Sequence, residues 1–417
     1  MSNGTTQQYD RRSLLKAAGA AGLAGLAGCT GSGDDGGGGP ETVIRERTVV
    51  KERTVVKEGG GCDEYRGTLR SVYFPIGAFR VIHQKMVDAG WLQEEATRVC
   101  YNAEWEFKFE DLPDFASGKS NYEEMDPLEA GRIKREMGLD EPLVYFLRDQ
   151  ASYTGSYVKV GGPYDPEETG GLQATVDKIV EDNARVGIFS WGAGNTTPLQ
   201  VIMGKIFGYD MVQDQSKSDL NVFATAPPTI PKLLEQGELA LATTSPMHGA
   251  GRFHYEDIIK PIWWDNVILP ENGLGTPNFA AYLTRRSFLE EHPEGIGAFF
   301  RANQKAATWY HDRGPEEVPG SEIAGAFANA ESPEVQKWIM DWATADTRDA
   351  VEEVKDANPG ATVFKSKYVT EDWVQTQRDF GQAGIDLGLL SEDFLDGIEF
   401  EEFVPPQGTE GILDPPY

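Results

Sequence analysis

The sequence predicts an α/β fold of two Rossmann-like lobes with a ligand cleft between them, and three observations lead there. Short apolar strands alternate with helical stretches along the body, the pattern of parallel sheets covered by helices. Several helical stretches end at glycines placed where a left-handed C′ residue belongs. About 350 residues follow the first sixty, which suits two such sheets better than one. Ligands of folds of this kind sit beyond the carboxyl ends of the strands, between the lobes.

In chain order, strands are expected at Thr68–Phe74, Cys100–Phe109, Leu143–Leu147, Arg185–Ser190, Leu220–Ala224, Glu238–Thr243 and Phe279–Thr284. Helices are expected at Phe79–Ala89, Pro127–Met137, Leu172–Asp182, Pro198–Phe207, Thr229–Gln236 and Glu294–Tyr310. Gly90, Gly138, Gly208 and Gly237 each follow the last apolar turn of one of these helices. Asp126-Pro127-Leu128-Glu129 reads as an N-cap, a proline at the first helical position and an acid that completes a capping box.

Composition narrows the function. Of 417 residues, 40% are apolar and 11% aromatic, more than a disordered solvating chain carries. Lys and Arg number 38 against 67 Asp and Glu, a net charge of −29 that repels phosphate backbones and argues against nucleic acid as a partner. No run of 18 apolar residues free of glycine and charge exists, so no transmembrane helix is expected. Residues 59–417 hold 30 basic and 60 acidic side chains. A solvated surface accounts for that excess. It also resembles the composition of secreted proteins from salt-loving microbes, in whose brine the Debye length falls to about 3 Å.

The first sixty residues are built differently. Arg11-Arg12-Ser13-Leu14-Leu15-Lys16 precedes Ala17–Gly28, a run of Ala, Gly and Leu too short to span a membrane. The order resembles a twin-arginine export signal, and Leu26-Ala27-Gly28-Cys29 resembles a lipobox, which implies cleavage before Cys29 and a lipid on its thiol. Thr30–Pro40 is rich in Gly, Ser and Asp and is expected to be flexible. Glu46-Arg47-Thr48-Val49-Val50-Lys51 then repeats as Glu52–Lys57, a period of six that fits neither a heptad nor a helix, and Gly59-Gly60-Gly61 ends the segment. A lipid anchor, an extended tether and a folded body are the expectation. With Cys29 lipidated, Cys62 and Cys100 remain, each just before a strand that would neighbour the other. A disulfide at the rim and two free thiols both stay open.

One glycine-rich turn stands out, Gly187–Pro198, a strand followed by a loop and a helix start. Thr197 is expected as N-cap and Pro198 as the first helical residue, so that backbone N–H groups and the side chains of Asn195, Thr196 and Thr197 converge where an anion is favoured, with Gly192 and Gly194 admitting close approach. It is not a full dinucleotide fingerprint, because Thr197 replaces the third glycine, and Ser190 is not in a nucleophile elbow. A merely capped helix after a tight loop is the plainer reading.

The order of these features resembles the solute-binding lipoproteins of ATP-driven (ABC) importers, in the branch serving nitrate, alkanesulfonates, taurine and thiamine precursors. Val72-Tyr73-Phe74-Pro75 with Phe79–Leu92, Asp126–Ala130, Ala184–Pro198, Pro228–Ala242 leading to Ser245-Pro246, and Leu283–Pro293 carry the likeness, from about Thr68 to Asp312. The resemblance implies the type II periplasmic-binding-protein fold, with residues 63–157 and 275–400 as one lobe, 158–274 as the other, and 401–417 as a tail after a signal at 1–29 and a tether at 30–62. It implies a small-molecule solute, permease and ATPase subunits as partners, extracytoplasmic membrane anchoring and no cofactor. Pro75, Ile76, Gly77, Asp126, Gly194, Asn195, Thr196, Thr197 and Ser245 are the expected ligand-binding residues. The chain departs from the family pattern at Ala78, Phe79, Ala240 and Thr243-Thr244-Ser245-Pro246, which bears on the ligand.

The glycine-rich loop favours an anion such as a sulfonate or nitrate. Phe74, Phe79, Trp191, Trp263 and Trp264 could instead stack a flat heterocycle, and Asp126 could pair an amine besides capping its helix. A sensor or adhesion ectodomain on the same fold is the alternative from another class. Catalysis is not expected. His83, His248, His254, His292 and His311 form no metal-ligand spacing, and no triad order is visible.

Overall fold

The computed structural model describes residues 62, 64–108, 112–191, 193–275, 278–345 and 364–409. The export signal, Cys29, the tether as far as residue 61, Gly192 and the tail from residue 410 lie outside the described residues. Strands β1 (Gly67–Tyr73), β2 (Tyr101–Phe107), β3 (Tyr122–Met125) and β4 (Leu143–Ala151) come first, then β5 (Gly155–Lys159), β6 (Arg185–Ile188), β7 (Asn221–Ala224), β8 (Leu241–Thr244) and β9 (Ile259–Trp264), and finally β10 (Asn278–Arg285), β11 (Phe364–Lys367) and β12 (Ile398–Phe400). They sort into two sheets. One runs β11-β4-β10-β3-β1-β2 with β12 also on β4, and the other runs β7-β6-β8-β5-β9.

Both sheets are mixed where parallel sheets were expected. β1 is parallel to β2 and β3, and β6 is parallel to β7 and β8. β10 runs antiparallel between β3 and β4, and β5 antiparallel between β8 and β9. The reason lies in the two chain crossings. β5 and β10 are the first strands after the chain changes sheets, so each enters its sheet from the end at which its neighbours leave. The expected boundary between residues 157 and 158 falls inside β5, and the second lobe begins at Gly155.

The first lobe is organised around the helix Pro293–Asp312, whose Phe299 ring lies 4.0 Å from that of Tyr122 and 4.8 Å from that of Tyr282. Burying an aromatic side chain of this kind contributes about 1.5–3 kcal/mol. Arg301 of the same helix donates from Nε to Glu95 at 2.9 Å, both side chains at most 2% exposed, and Lys305 reaches the other oxygen of Glu95 at 2.6 Å. Such a pair fixes register more than it adds stability. Cys62 and Cys100 are joined in a disulfide with 5.7 Å between Cα atoms, directly ahead of the paired residues Gly67 and Tyr101.

Later segments do not stay in one lobe. The helix Glu371–Asp386 places Trp373 and Val374 in a first-lobe cluster and Phe380 and Ala383 against second-lobe residues. Ile339 and Trp342, on the helix Pro333–Thr344, pack near Gly251 and Trp264 of the second lobe. Phe403, in the segment expected as a tail, is 5% exposed, and the Glu401 N–H donates to Tyr145 O at 2.9 Å. Among the described residues no helix is long and apolar enough to cross a membrane.

Candidate functional site

A cavity of about 210 Å³ lies where strands of both sheets end. Its position beyond the carboxyl ends of β1, β3, β6, β7 and β8 follows the general rule for open α/β sheets. From the first lobe, β1 delivers Phe74 and Ile76, and the following helix adds Phe79. β3 ends in Glu123, Glu124 and Met125, followed by Asp126 and then Glu129 in the next helix. From the second lobe come Phe189, Ala193, Gly194 and Asn195 after β6, Ile230 after β7, Thr243 and Thr244 at the end of β8, and His248.

Asp126 is where local sequence and site meet. Its extended backbone (φ −66°, ψ 130°) and the proline after it start the helix Pro127–Met137, and its Oδ1 accepts from the Leu128 N–H at 2.9 Å. Its Oδ2 is buried without a hydrogen-bond partner, and the residue is 5% exposed. Burial pushes its carboxyl well above the usual carboxylate range; the Leu128 N–H opposes that shift and neighbouring Glu129 adds to it. Burial also raises Glu129, against the pull of Arg132, which pairs with Glu129 and with Glu136.

Across the cavity, the Oγ1 atoms of Thr243 and Thr244 are buried without partners, the residues being 1% and 2% exposed. His248 shares a hydrogen bond between Nε2 and the Tyr153 hydroxyl at 3.2 Å, and burial lowers its pKa to about 4, so the ring is neutral near pH 7. Its ring also closes on the other lobe: a Cβ built on Gly77 would sit 2.8 Å from its Cδ2. Phe74 and Phe79 meet edge to face at 5.8 Å.

Of the expected site residues, Ile76, Asp126, Gly194 and Asn195 line the cavity; Pro75 adjoins it and Gly77 is buried behind His248. Thr196, Thr197 and Ser245 do not line it. The helix starts earlier than expected: Asn195 is the N-cap, with no side-chain cap bond, and the α-helix covers Thr196–Val201 before a π-helical turn over Ile202–Phe207. Thr196 donates its N–H to Ala193 O at 2.8 Å and its hydroxyl to Ser190 O at 2.6 Å. Closing the loop therefore takes both donors of Thr196. Trp263 and Trp264 are core residues and Trp191 does not line the cavity, so of the five expected aromatic residues Phe74 and Phe79 line it, joined by Phe189.

Glu123, Glu124, Glu129 and His248 were not expected at the site. The acids that close β3 immediately before an N-cap were the available signal: a strand end that carries two carboxylates has a reason other than packing. Among the described residues, no cluster of three or more His, Cys, Asp or Glu is placed to hold a metal ion.

No protein-family model matches the sequence, and no curated protein does. Solved structures match along most of the chain. The alkanesulfonate-binding protein SsuA from Xanthomonas axonopodis pv. citri, bound to MOPS, is 12% identical with a TM-score of 0.54, the match covering 81% of this chain and 99% of that one. The periplasmic nitrate-binding protein NrtA from Synechocystis PCC 6803 is 11% identical with a TM-score of 0.54, covering 80% and 86%. The periplasmic aliphatic sulphonate binding protein SsuA from Escherichia coli is 12% identical with a TM-score of 0.52, covering 78% and 94%. These matches along most of the chain, together with its two mixed sheets, give this chain the fold of the periplasmic solute-binding proteins.

Proposed function

We propose that the protein is the extracytoplasmic solute-binding component of an ABC importer, capturing a small solute between its lobes and presenting it to a membrane permease. The observation that carries this reading is the cavity itself: Asp126 from one lobe and Thr243 and Thr244 from the other line it, and each holds a buried polar atom with no hydrogen-bond partner among the described residues. Leaving such atoms dry costs about 1–3 kcal/mol each, so a site built this way is completed by a solute that supplies the missing partners. Export by the twin-arginine route and a lipid on Cys29 belong to the same reading, supported by the order Arg11-Arg12, apolar run, Cys29.

The neighbours named for sulfonate and nitrate support import of a small solute. An anion of that kind would need positive groups, and none of the described lining residues is Lys or Arg. Fractionation and uptake in one set of strains test the proposal. Cys29→Ser should move the protein from the membrane to the soluble fraction, and deletion of the chain should cut uptake of the solute that stabilises the purified protein at least tenfold. Unchanged uptake in the deletion strain counts against the function.

A further inference from the structure

The charge of the cavity wall is one-sided. Glu123, Glu124, Asp126 and Glu129 line it, and no Lys or Arg does among the described residues. Arg132 offsets part of this, but it is shared between Glu129 and Glu136 and its side chain is 44% exposed. The decisive atom is Asp126 Oδ2, buried and without a partner, while Oδ1 is committed to the Leu128 N–H. A helix cap needs only the first of these oxygens; among the described residues nothing hydrogen-bonds to the second. Thr243 and Thr244 of the second lobe line the same cavity and carry unpartnered hydroxyls that can accept or donate, and the edge-to-face pair Phe74 and Phe79 supplies aromatic surface.

Resting on the solute-capture reading above, we infer that the solute carries a cationic nitrogen, an ammonium or amidinium, held by the Asp126 carboxylate at one end, with its remainder against Phe74 and Phe79 and the Thr243 and Thr244 hydroxyls. A cation within 4–6 Å favours the ionised carboxylate, whereas a sulfonate or nitrate at the same place faces like charge. Aromatic faces add to the preference for a cation. Burial raises the Asp126 carboxyl in the empty protein and a bound cation lowers it, so capture of the cation favours loss of its proton. The groups that face this equilibrium are Glu123 and Glu124 from β3, Glu129 and Arg132 from the helix, Tyr145 from β4 and neutral His248 from the second lobe. Affinity for the cation therefore rises with pH until Asp126 is ionised in the empty protein.

The experiment is a thermal-shift and calorimetry series on the intact protein at fixed high salt. Its probes are benzylammonium, choline and agmatine as cations, benzyl alcohol as a neutral, and benzenesulfonate, ethanesulfonate and nitrate as anions. At least one cation should raise the melting temperature while the neutral and the anions do not, with release of up to one proton per bound cation. Asp126→Asn keeps the capping acceptor. It should lower that cation's affinity at least tenfold and abolish proton release. Thr243→Val, which leaves the cap and its charge untouched, should weaken the same cation severalfold and keep the proton release. Saturable binding of an anion or of benzyl alcohol, unaffected by Asp126→Asn, would overturn the charge assignment and leave solute capture standing. Binding of no probe of either charge or of none would overturn both.

Discussion

Asp265, the first residue of the helix Asp265–Glu271, ties together the two places where the chain changes sheets. Its Oδ2 accepts from the Thr154 hydroxyl at 2.6 Å, and its N–H donates to Thr154 O at 3.1 Å. It is fully buried with its other carboxyl oxygen unpartnered, and desolvation raises its pKa to about 7, the Thr154 bond opposing the shift. The folded state thus holds a proton that the unfolded chain releases near pH 4. Stability is fully present below that pH and is lost as pH rises to about 7, by something on the order of 4 kcal/mol. Asp265→Asn keeps the bond to Thr154 and cannot ionise. Urea denaturation at pH 4.5 and pH 8 should show the variant gaining on the wild type by several kcal/mol at the higher pH; parallel profiles would dismiss the linkage. None of this is visible in sequence, where Trp264-Asp265-Asn266 is one more polar helix start. Asp126 is the instructive contrast. Its capping oxygen was legible because the partner lies two residues away, and its second oxygen was not, because what faces it comes from another lobe.

At the scale of elements, the helix Pro127–Met137 aims Asp126 and Glu129, and it is held from behind by the far end of the chain. A Cβ on Gly131 would lie 1.8 Å from Phe394 O, so the helix and the turn around Phe394 touch backbone to backbone. Gly131→Ala must push them apart, and overpacking of this kind costs about 1–3 kcal/mol. Chemical denaturation should show that loss, together with weaker binding of any probe held by Asp126, since the helix start moves with its body. A variant as stable as the wild type would mean that the turn yields freely. Punctuation of this sort was partly legible: Gly90, Gly138, Gly208 and Gly237, expected as C′ residues, have φ of 74°, 65°, 81° and 76°. Those conformations are local, so the residue announces them. β3 and β9 were not foreseen. The first is four residues with two acids that serve the cavity, and the second contains Pro261, so neither reads as an apolar strand.

At the scale of the whole molecule, Gly77 against His248 is a point where the two lobes meet. Gly77 begins its helix with φ +65°, and any Cβ there would press on the imidazole from the other lobe. Gly77→Ala should cost about 1 kcal/mol through the left-handed backbone alone. It should also hold the cleft wider, lowering affinity for a stabilising cation about tenfold and raising the radius of gyration of the bound protein in X-ray scattering. Wild-type affinity in the folded variant would show that closure does not need this contact. The sequence by itself determined the α/β class, the two lobes, seven of the twelve described strands, six of the helices and the capped start at Asp126, because periodicity, caps and C′ glycines act within a few residues. Tertiary structure alone decided the antiparallel β5 and β10, the later helices that lean on both lobes, and the acidic wall of the cavity. It also turned both donors of Thr196, expected to meet an anion, onto the loop that precedes its helix. Which polar atoms are left without a partner depends on residues far apart in the chain, and the charge the cavity accepts follows from them.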